Sequence, residues 1–412
     1  MRYLKILADD LTGAADSAAR CRRFGLPATI FLDVPELPLP PGALAITSDS
    51  RHLAAKAAAE QTRITAASLP AIEGLWYKKI DSTLRGNIGS EVDALLDLVG
   101  AKAAVVCPAF PAQGRVLRGG ILTAPNLEPE TVHLPSLLRE QSSHAVAALS
   151  LEQVRGGGLA ANMKGIVKGR DRGSAEGRIV IAVDAMTDDD LDMVVRAQQK
   201  GVPEALLCGS AGLVGALARQ VGVEEGFPSL PAERLGPAGR SVLAVVGSGS
   251  DVTHRQIAFL IGSGRGAPHR AVSQLVVRPE TDAAATATLD PDQPIWLLQQ
   301  PRPQPGTVLE GSEARQRAEH LGRVSSAALA RRPVDLLLLV GGDTAMPILK
   351  SLGVARLSVE EELLPGMPLC SAVIDGRQML VVLKPGHFGE EETLVELVDR
   401  VIGSGQQSVV SC

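Results

Sequence analysis

Aromatic side chains make up only 2% of the 412 residues, so the interior has to be filled by Ala, Val, Leu and Ile rather than by rings. The same scarcity argues against a base-stacking platform for nucleic acid, which needs exposed aromatics. A formal net charge of −5 leaves no polycationic footprint for such a partner either. The five cysteines, at positions 21, 107, 208, 370 and 412, form no C-x-x-C pair and read as reduced thiols, several of them buried at strand ends. The seven histidines never pair as H-x-x-x-H, which argues against a structural zinc site and leaves no metal-ligating set to name. No G-x-x-x-x-G-K-[ST] loop occurs, and no G-x-G-x-x-G follows a strand, so the Walker and dinucleotide fingerprints are missing. No apolar run reaches the roughly 18 to 20 residues that span a bilayer. The first run, Tyr3 to Ala8, is too short for a signal peptide and passes straight into acids. The expected location is the cytoplasm, with neither membrane nor nucleic acid as partner.

What is present is a repeated alternation of short apolar runs and helical patterns. The runs Tyr3–Ala8, Ala28–Leu32, Leu44–Thr47, Ile72–Trp76, Ala103–Pro108, Ile179–Val183 and Leu206–Cys208 read as buried strands. The stretch from Gly120 to Asn162 reads as a loop with two helices, and Lys164 to Gly177 as exposed loop. The segment Phe227 to Arg240 holds three prolines and two glycines and reads as a linker. Beyond it the alternation restarts at Val242–Val246, Pro294–Leu298 and Val334–Val340, and ends in the hairpin-like pair Cys370–Ile374 and Met379–Leu383. The predicted fold class is α/β, with two α/β domains built on mainly parallel sheets: residues 1–226 and 240–412, joined by a linker at 227–239.

The densest polar stretch is Tyr77-Lys78-Lys79-Ile80-Asp81-Ser82-Thr83-Leu84-Arg85-Gly86-Asn87. It lies between an apolar run and a helical pattern, at the carboxyl end of a predicted strand, where ligands of α/β sheets bind. Lys78, Lys79 and Arg85 favour an anion, and Asp81, Ser82 and Asn87 can bond hydroxyls. Three other strands end in Asp9-Asp10, in Ser48-Asp49-Ser50-Arg51 and in a segment closing on Arg115. Such edges suit a cleft for a small hydroxylated acid. The plainer readings are a solvated charged face and, for the aspartate pair, a helix N-cap. In the second half, Gly247 to Thr253 and Gly341 to Thr344 are glycine-rich strand-to-helix turns, of the kind whose N–H groups cradle phosphate, although each alone also fits an ordinary helix entry.

Taken in order, ADDLTGAADSA, SDSR, KKIDSTLRGNIGSEVDALL, CPAFPAQGR, GSAGL, VVGSGSDVTHRQI, VGGDTA and KPGHFG resemble the four-carbon acid sugar kinase family over nearly the whole chain. The resemblance implies a sugar-acid-binding N-terminal domain, a nucleotide-binding C-terminal domain, and ATP with Mg²⁺ used to phosphorylate a hydroxyl, the 4-OH, of an acid such as threonate, erythronate or 3-oxo-tetronate. It places the acid on Asp9, Asp10, Arg51, Lys79, Ile80, Asp81, Ser82 and Arg85, and ATP on Ser248, Ser250, Gly341, Gly342, Asp343, Thr344 and Gly386. Between Arg115 and Leu138 the chain departs from the family: Gly119-Gly120-Ile121-Leu122 and Asn126-Leu127-Glu128-Pro129-Glu130 stand where a glycine–histidine segment and a threonine, phenylalanine and Asp-Pro pattern are usual.

Phosphoryl transfer needs a positioned hydroxyl and neutralised charge more than covalent chemistry from the protein. In that scheme Arg51 and a lysine of the KKID stretch hold the carboxylate, Asp10 and Asp81 orient the hydroxyls, and Asp343 takes the hydroxyl proton or organises Mg²⁺. Lys384 and His387 stand in a turn from which a phosphate is within reach, although His387 also reads as a surface residue. A sugar-acid-binding regulatory protein without transfer is the competing reading. A dehydrogenase or aldolase is disfavoured by the missing dinucleotide fingerprint and histidine pattern. The Ala- and Leu-rich helical surface is compatible with a homodimer.

Overall fold

The structure, a computed structural model, describes residues 3–125, 131–171, 177–225, 241–264, 267–302 and 311–402. The chain divides into two compact units, Met1–Leu230 and Pro231–Cys412. The expected linker at 227–239 lies outside the described residues.

In the first unit, β1 (Tyr3–Ala8), α1 (Leu11–Arg23), β2 (Ala28–Phe31), β3 (Ala43–Thr47), α2 (Ala55–Ser68), β4 (Gly74–Lys79), α3 (Ile88–Leu98) and β5 (Ala103–Cys107) follow one another. A small antiparallel sheet comes next, β6 (Val116–Arg118), β7 (Ile121–Thr123) and β8 (Val132–His133). The unit is completed by α4 (Leu134–Gln141), β9 (Ala145–Leu149), α5 (Leu151–Arg155), α6 (Leu159–Asp171), β10 (Ile179–Val183), α7 (Asp188–Gly201), β11 (Leu206–Gly209) and α8 (Ala211–Glu225). Its main sheet runs β2-β3-β1-β4-β11-β5-β10-β9, every pairing parallel. Parallel strands are covered on both faces, which is why β5 and β10 are apolar and buried at every position. The packing is aliphatic: Leu7, Leu44, Ile80, Val92, Leu95, Val106 and Leu117 belong to one cluster.

The second unit holds β12 (Val242–Val246), α9 (Asp251–Ser263), β13 (Val272–Val276), β14 (Ile295–Gln299), α10 (Gly311–Arg331), β15 (Leu336–Val340), α11 (Gly342–Ser351), β16 (Arg356–Leu364), β17 (Met367–Ile374), β18 (Arg377–Lys384) and α12 (Thr393–Ile402). Strands β13-β14-β12-β15-β18 are parallel, and β17 and β16 extend the sheet antiparallel. Each unit carries one of the two tryptophans: Trp76 in β4, with Lys5 Nζ 4.6 Å from its ring centroid, and Trp296 in β14, buried and donating to the Asp290 carbonyl at 2.8 Å. Among the described residues no helix is long and apolar enough to cross a membrane.

Five local expectations are corrected. Strand β4 extends through Lys79 rather than stopping at Trp76, because both lysines find buried partners, described below. The stretch from Gly120 to Asn162 contains strands, not only helices: β7, β8 and β9. Strand β9 is the edge strand AVAAL, alanine-rich and half exposed. Residues Lys164 to Asp171 belong to α6, and 172–176 lie outside the described residues. Strand β13 (VSQLV) is an edge strand with two polar residues and escapes the apolar pattern. Strand β16, with its run of three glutamates, turns the expected hairpin into a three-stranded meander.

Candidate functional site

In the first unit the carboxyl ends of β1, β3, β4 and β5 lead into one cluster of charge. Asp10 is the N-cap of α1, its Oδ1 accepting from Gly13 N at 2.7 Å and its Oδ2 from Thr12 Oγ1 at 2.5 Å. The helix-cap reading is therefore correct, yet Asp10 is also an ion-pair partner. Arg51, four residues beyond β3, donates Nε to Asp9 Oδ2 at 2.7 Å, Nη2 to Asp9 Oδ1 at 3.0 Å and Nη1 to Asp10 Oδ2 at 2.5 Å. Its Nη2 lies 3.8 Å from Asp81 Oδ1. Asp81 is gripped in turn by Arg85, Nε at 2.8 Å and Nη2 at 3.1 Å, and accepts from Thr83 Oγ1 at 2.5 Å. The turn that bends Arg85 back puts Leu84 at φ 65, a conformation that costs a branched side chain of this kind about 1 kcal/mol or more.

The environment splits the carboxyls. Burial opposes ionisation at Asp9, but Arg51, Lys78 and Lys79 outweigh it and hold the group below the usual carboxylate range. At Asp10 burial, aided by the negative charge of Asp9, wins over Arg51 and raises the group. Asp81 is held far below the usual range: burial is overcome by the Arg85 hydrogen bonds and by Arg51. Neighbouring carboxyls pushed apart in this way suit different roles, with Asp10 the better proton acceptor and Asp81 a fixed negative charge.

The two adjacent lysines part company. Lys78 is fully buried and pairs with Glu91 of α3 at 2.7 Å, so its charge is used inside the protein and the expectation that it favours an anionic partner is corrected. Lys79 is 4% exposed and donates Nζ to the Ile80 carbonyl at 2.9 Å. Among the described residues no carboxylate lies within ion-pair distance of it. A methyl group at Gly13 would stand 2.8 Å from Asp10 Oδ1 and 3.1 Å from Lys79 Nζ, so glycine keeps the space over that ammonium open. Ile80 points into the aliphatic core, which leaves only its backbone for the site. Asn87 donates to the Leu53 carbonyl at 2.7 Å and so holds loop to loop.

The cluster also gathers Arg115, expected at the cleft edge but not among the residues on which the resemblance places the acid. Arg115 donates Nη1 to Ser82 Oγ, and Asp81 and Asp16 both bear on it electrostatically. Its place at the end of the CPAFPAQGR segment after β5 was the available signal. The departing Gly119-Gly120 turn between β6 and β7 is pinned by the buried Asp184, which accepts from Gly119 N at 2.6 Å and Gly120 N at 2.9 Å. Residues 126–130 lie outside the described residues.

In the second unit three turns meet at the carboxyl ends of the adjacent strands β12, β15 and β18. Ser250 caps α9, its Oγ accepting from Thr253 N at 3.2 Å, and donates to the Gly386 carbonyl at 2.8 Å. Thr253 Oγ1 donates to the same carbonyl at 2.6 Å. Ser248 Oγ lies 3.3 Å from Ser250 Oγ and 3.2 Å from Thr253 Oγ1. The backbones approach so closely that a methyl group at Gly386 would stand 2.0 Å from Ser248 Oγ, and one at Gly247 would stand 2.2 Å from Thr344. Gly341 has φ 114, open only to glycine, and its N–H donates to the Lys384 carbonyl at 2.9 Å. Gly342 then opens α11. The turns thus bring together Ser248, Ser250, Gly341, Thr344 and Gly386, with two helix N-termini facing the same edge. Asp343 stands in the first turn of α11, and its side chain lies outside the described residues.

Comparison with known proteins matches each unit to a family model. Residues 4–217 match the "Sugar-binding N-terminal domain" and residues 243–394 the "Nucleotide-binding C-terminal domain". The chain is 32% identical over 422 residues to the D-threonate kinase of Cupriavidus necator, covering 94% of this chain and 95% of the relative. It is 28% identical over 446 residues to the D-erythronate kinase of Heliobacterium modesticaldum, covering 98% of each. A crystal structure of a Salmonella typhimurium LT2 protein shares the fold, with a TM-score of 0.74 at 23% identity over 96% of this chain and 98% of that one. With both halves matched in order and full-length relatives on either side of 30% identity, the chain belongs to the four-carbon acid sugar kinase family.

Proposed function

We propose that this chain transfers the γ-phosphoryl group of ATP to the 4-hydroxyl of a four-carbon sugar acid such as threonate, erythronate or 3-oxo-tetronate. Residues 1–226 bind the acid and residues 240–412 the nucleotide. The observation that carries this reading is Lys79, a buried ammonium with donors to spare and no carboxylate within ion-pair distance among the described residues, set beside a network of aspartates and arginines. A small polyhydroxylated carboxylate satisfies both halves of that arrangement.

In this reading Lys79 and the unused N–H groups of Arg51 hold the carboxylate. Asp10 and Asp81 accept from the substrate hydroxyls, with Asp81 kept ionised by Arg85 and Asp10 the more basic of the two. Ser82 and Arg115, already bonded to each other, close the same cluster. In the second unit the backbone N–H groups at Ser248, Gly342 and Thr344 line the triphosphate, Gly341 lets the turn approach it closely while its own N–H stays on the Lys384 carbonyl, and Asp343 accepts the hydroxyl proton or organises Mg²⁺. The hydroxyls of Ser250 and Thr253 are already committed to the Gly386 carbonyl. This donor set suits a Mg²⁺ carried mainly by phosphate oxygens and water, which is how that ion is usually held in kinases. When bound, it neutralises charge on the transferred group.

The test is ADP release from Mg²⁺-ATP in the presence of D-threonate, L-threonate, D-erythronate, L-erythronate and 3-oxo-tetronate, each against a no-acid control. Acid-dependent ADP release with one of them supports the reading and names the substrate. ADP release that no acid stimulates, with ATP bound, overturns it in favour of a binding role.

A further inference from the structure

Strand β18 ends in Lys384, which the sequence sets within reach of a phosphate and to which the proposed scheme gives no role. Lys384 is 1% exposed, and its Nζ donates to the Pro385 carbonyl at 3.0 Å. No carboxylate among the described residues lies within ion-pair distance, and burial alone draws its pKa down to about 7. An ammonium buried without a counter-charge is costly, and a hydrocarbon side chain of the same length fits such a place at lower cost. The chain keeps a lysine there.

Its position supplies the reason. The strand is flanked by β15 and β17, and the Lys384 carbonyl accepts from Gly341 N at 2.9 Å, which ties this residue to the turn that opens α11. Two residues on, the Gly386 carbonyl is held by Ser250 and Thr253 at the start of α9. The ammonium therefore stands where three adjacent parallel strands end and two helices begin, an edge whose free N–H groups favour a phosphate. Lys79 has the same design in the first unit: last residue of a central strand, buried, bonded to the carbonyl of the next residue at 2.9 Å.

Resting on the reading that this unit binds ATP, we propose that Lys384 is a phosphate-binding residue of the nucleotide site, its ammonium paired with the β- or γ-phosphate. The arriving anion offsets the desolvation of the lysine, and the lysine neutralises charge on the group being transferred, as a point charge rather than a bidentate fork.

The experiment compares wild type with Lys384→Met by calorimetric titration of ATP, by thermal melting with and without ATP, and by inhibition of ADP release with adenosine. The variant is expected to bind ATP about tenfold to a hundredfold more weakly, to lose most of the ATP-induced rise in Tm, and to melt in the absence of nucleotide at or above the wild-type temperature. Inhibition by adenosine relative to ATP binding is expected to stay as in wild type or strengthen. Unchanged ATP affinity overturns the proposal while leaving the kinase reading intact. A lower melting temperature without nucleotide, with the ATP-induced rise preserved, also overturns it and makes Lys384 structural. Failure of the wild type itself to bind ATP overturns both.

Discussion

Arg51 closes on Asp9 as a two-point clamp, Nε to Oδ2 at 2.7 Å and Nη2 to Oδ1 at 3.0 Å, while its remaining terminal nitrogen reaches Asp10 at 2.5 Å. One planar group thus fixes two carboxylates at the end of β1 and still has N–H groups left over. A lysine keeps the charge but not the fork. Arg51→Lys is expected to lower kcat/KM for the acid by about a hundredfold, from the loss of about 3 kcal/mol of charge-assisted hydrogen bonding, with ATP affinity unchanged. Steady-state kinetics with the acid varied, alongside ATP titration, checks this. An equal loss in ATP binding would speak against the assignment.

Lys78 and Lys79 make a contrasting pair. Lys78→Met leaves Glu91 buried and unpaired and is expected to destabilise the fold by about 3–5 kcal/mol, visible as a fall in Tm, and Lys78→Met combined with Glu91→Gln is expected to recover part of it. Lys79→Met is expected to melt near wild type and to raise KM for the acid by at least about tenfold. Thermal melts and kinetics on the three variants check both halves. A stable Lys78→Met protein with impaired acid binding would exchange the two roles.

In the proposed scheme Asp343 accepts the hydroxyl proton or organises Mg²⁺, and Asp343→Asn takes away the carboxylate while keeping the size of the side chain. Turnover is expected to fall by about a hundredfold or more, the scale of general base catalysis, with KM for the acid little changed. Single-turnover measurement at saturating ATP and acid is the check. Full turnover would remove Asp343 from both roles.

Lys384 also predicts a pH dependence of stability. Its folded-state pKa of about 7 lies below the ordinary 10.5, so between those values the unfolded chain binds a proton that the folded chain lacks, and stability rises with pH. Below pH 7 both states carry the proton and the full cost of the buried charge is present. The gap in Tm by which Lys384→Met exceeds wild type is therefore expected to narrow as pH is raised from 7 toward 10. A gap that widens over that range would contradict the assigned burial.

Much of this was legible in the sequence, for a physical reason. Strands of a parallel sheet are buried on both faces and read as apolar runs, as β5, β10 and β15 do, and ligand-facing residues come directly after such runs. Asp9, Asp10, Arg51, Asp81 and Arg85, expected at such ends, do converge in one cluster of charge. The edge strands β9 and β13 carry alanine, serine and glutamine, so their pairing depends on neighbours that periodicity does not see. Which of two adjacent buried lysines is paired with a carboxylate was equally closed to the sequence. Successive residues of β4 face opposite sides of the sheet, and only the packing of α3 decides that Glu91 meets Lys78. Arg115 lies in a segment whose convergence on Ser82 is a tertiary fact.

The placement of Trp76 in β4 and Trp296 in β14, one in each compact unit of a chain with two tryptophans, makes the protein its own pair of optical reporters. Trp76→Phe leaves indole emission from the second unit alone, and Trp296→Phe leaves it from the first. Fluorescence recorded on each variant during a denaturant titration then follows one unit at a time, and ligand-induced quenching shows which unit each small molecule perturbs without separating the chain.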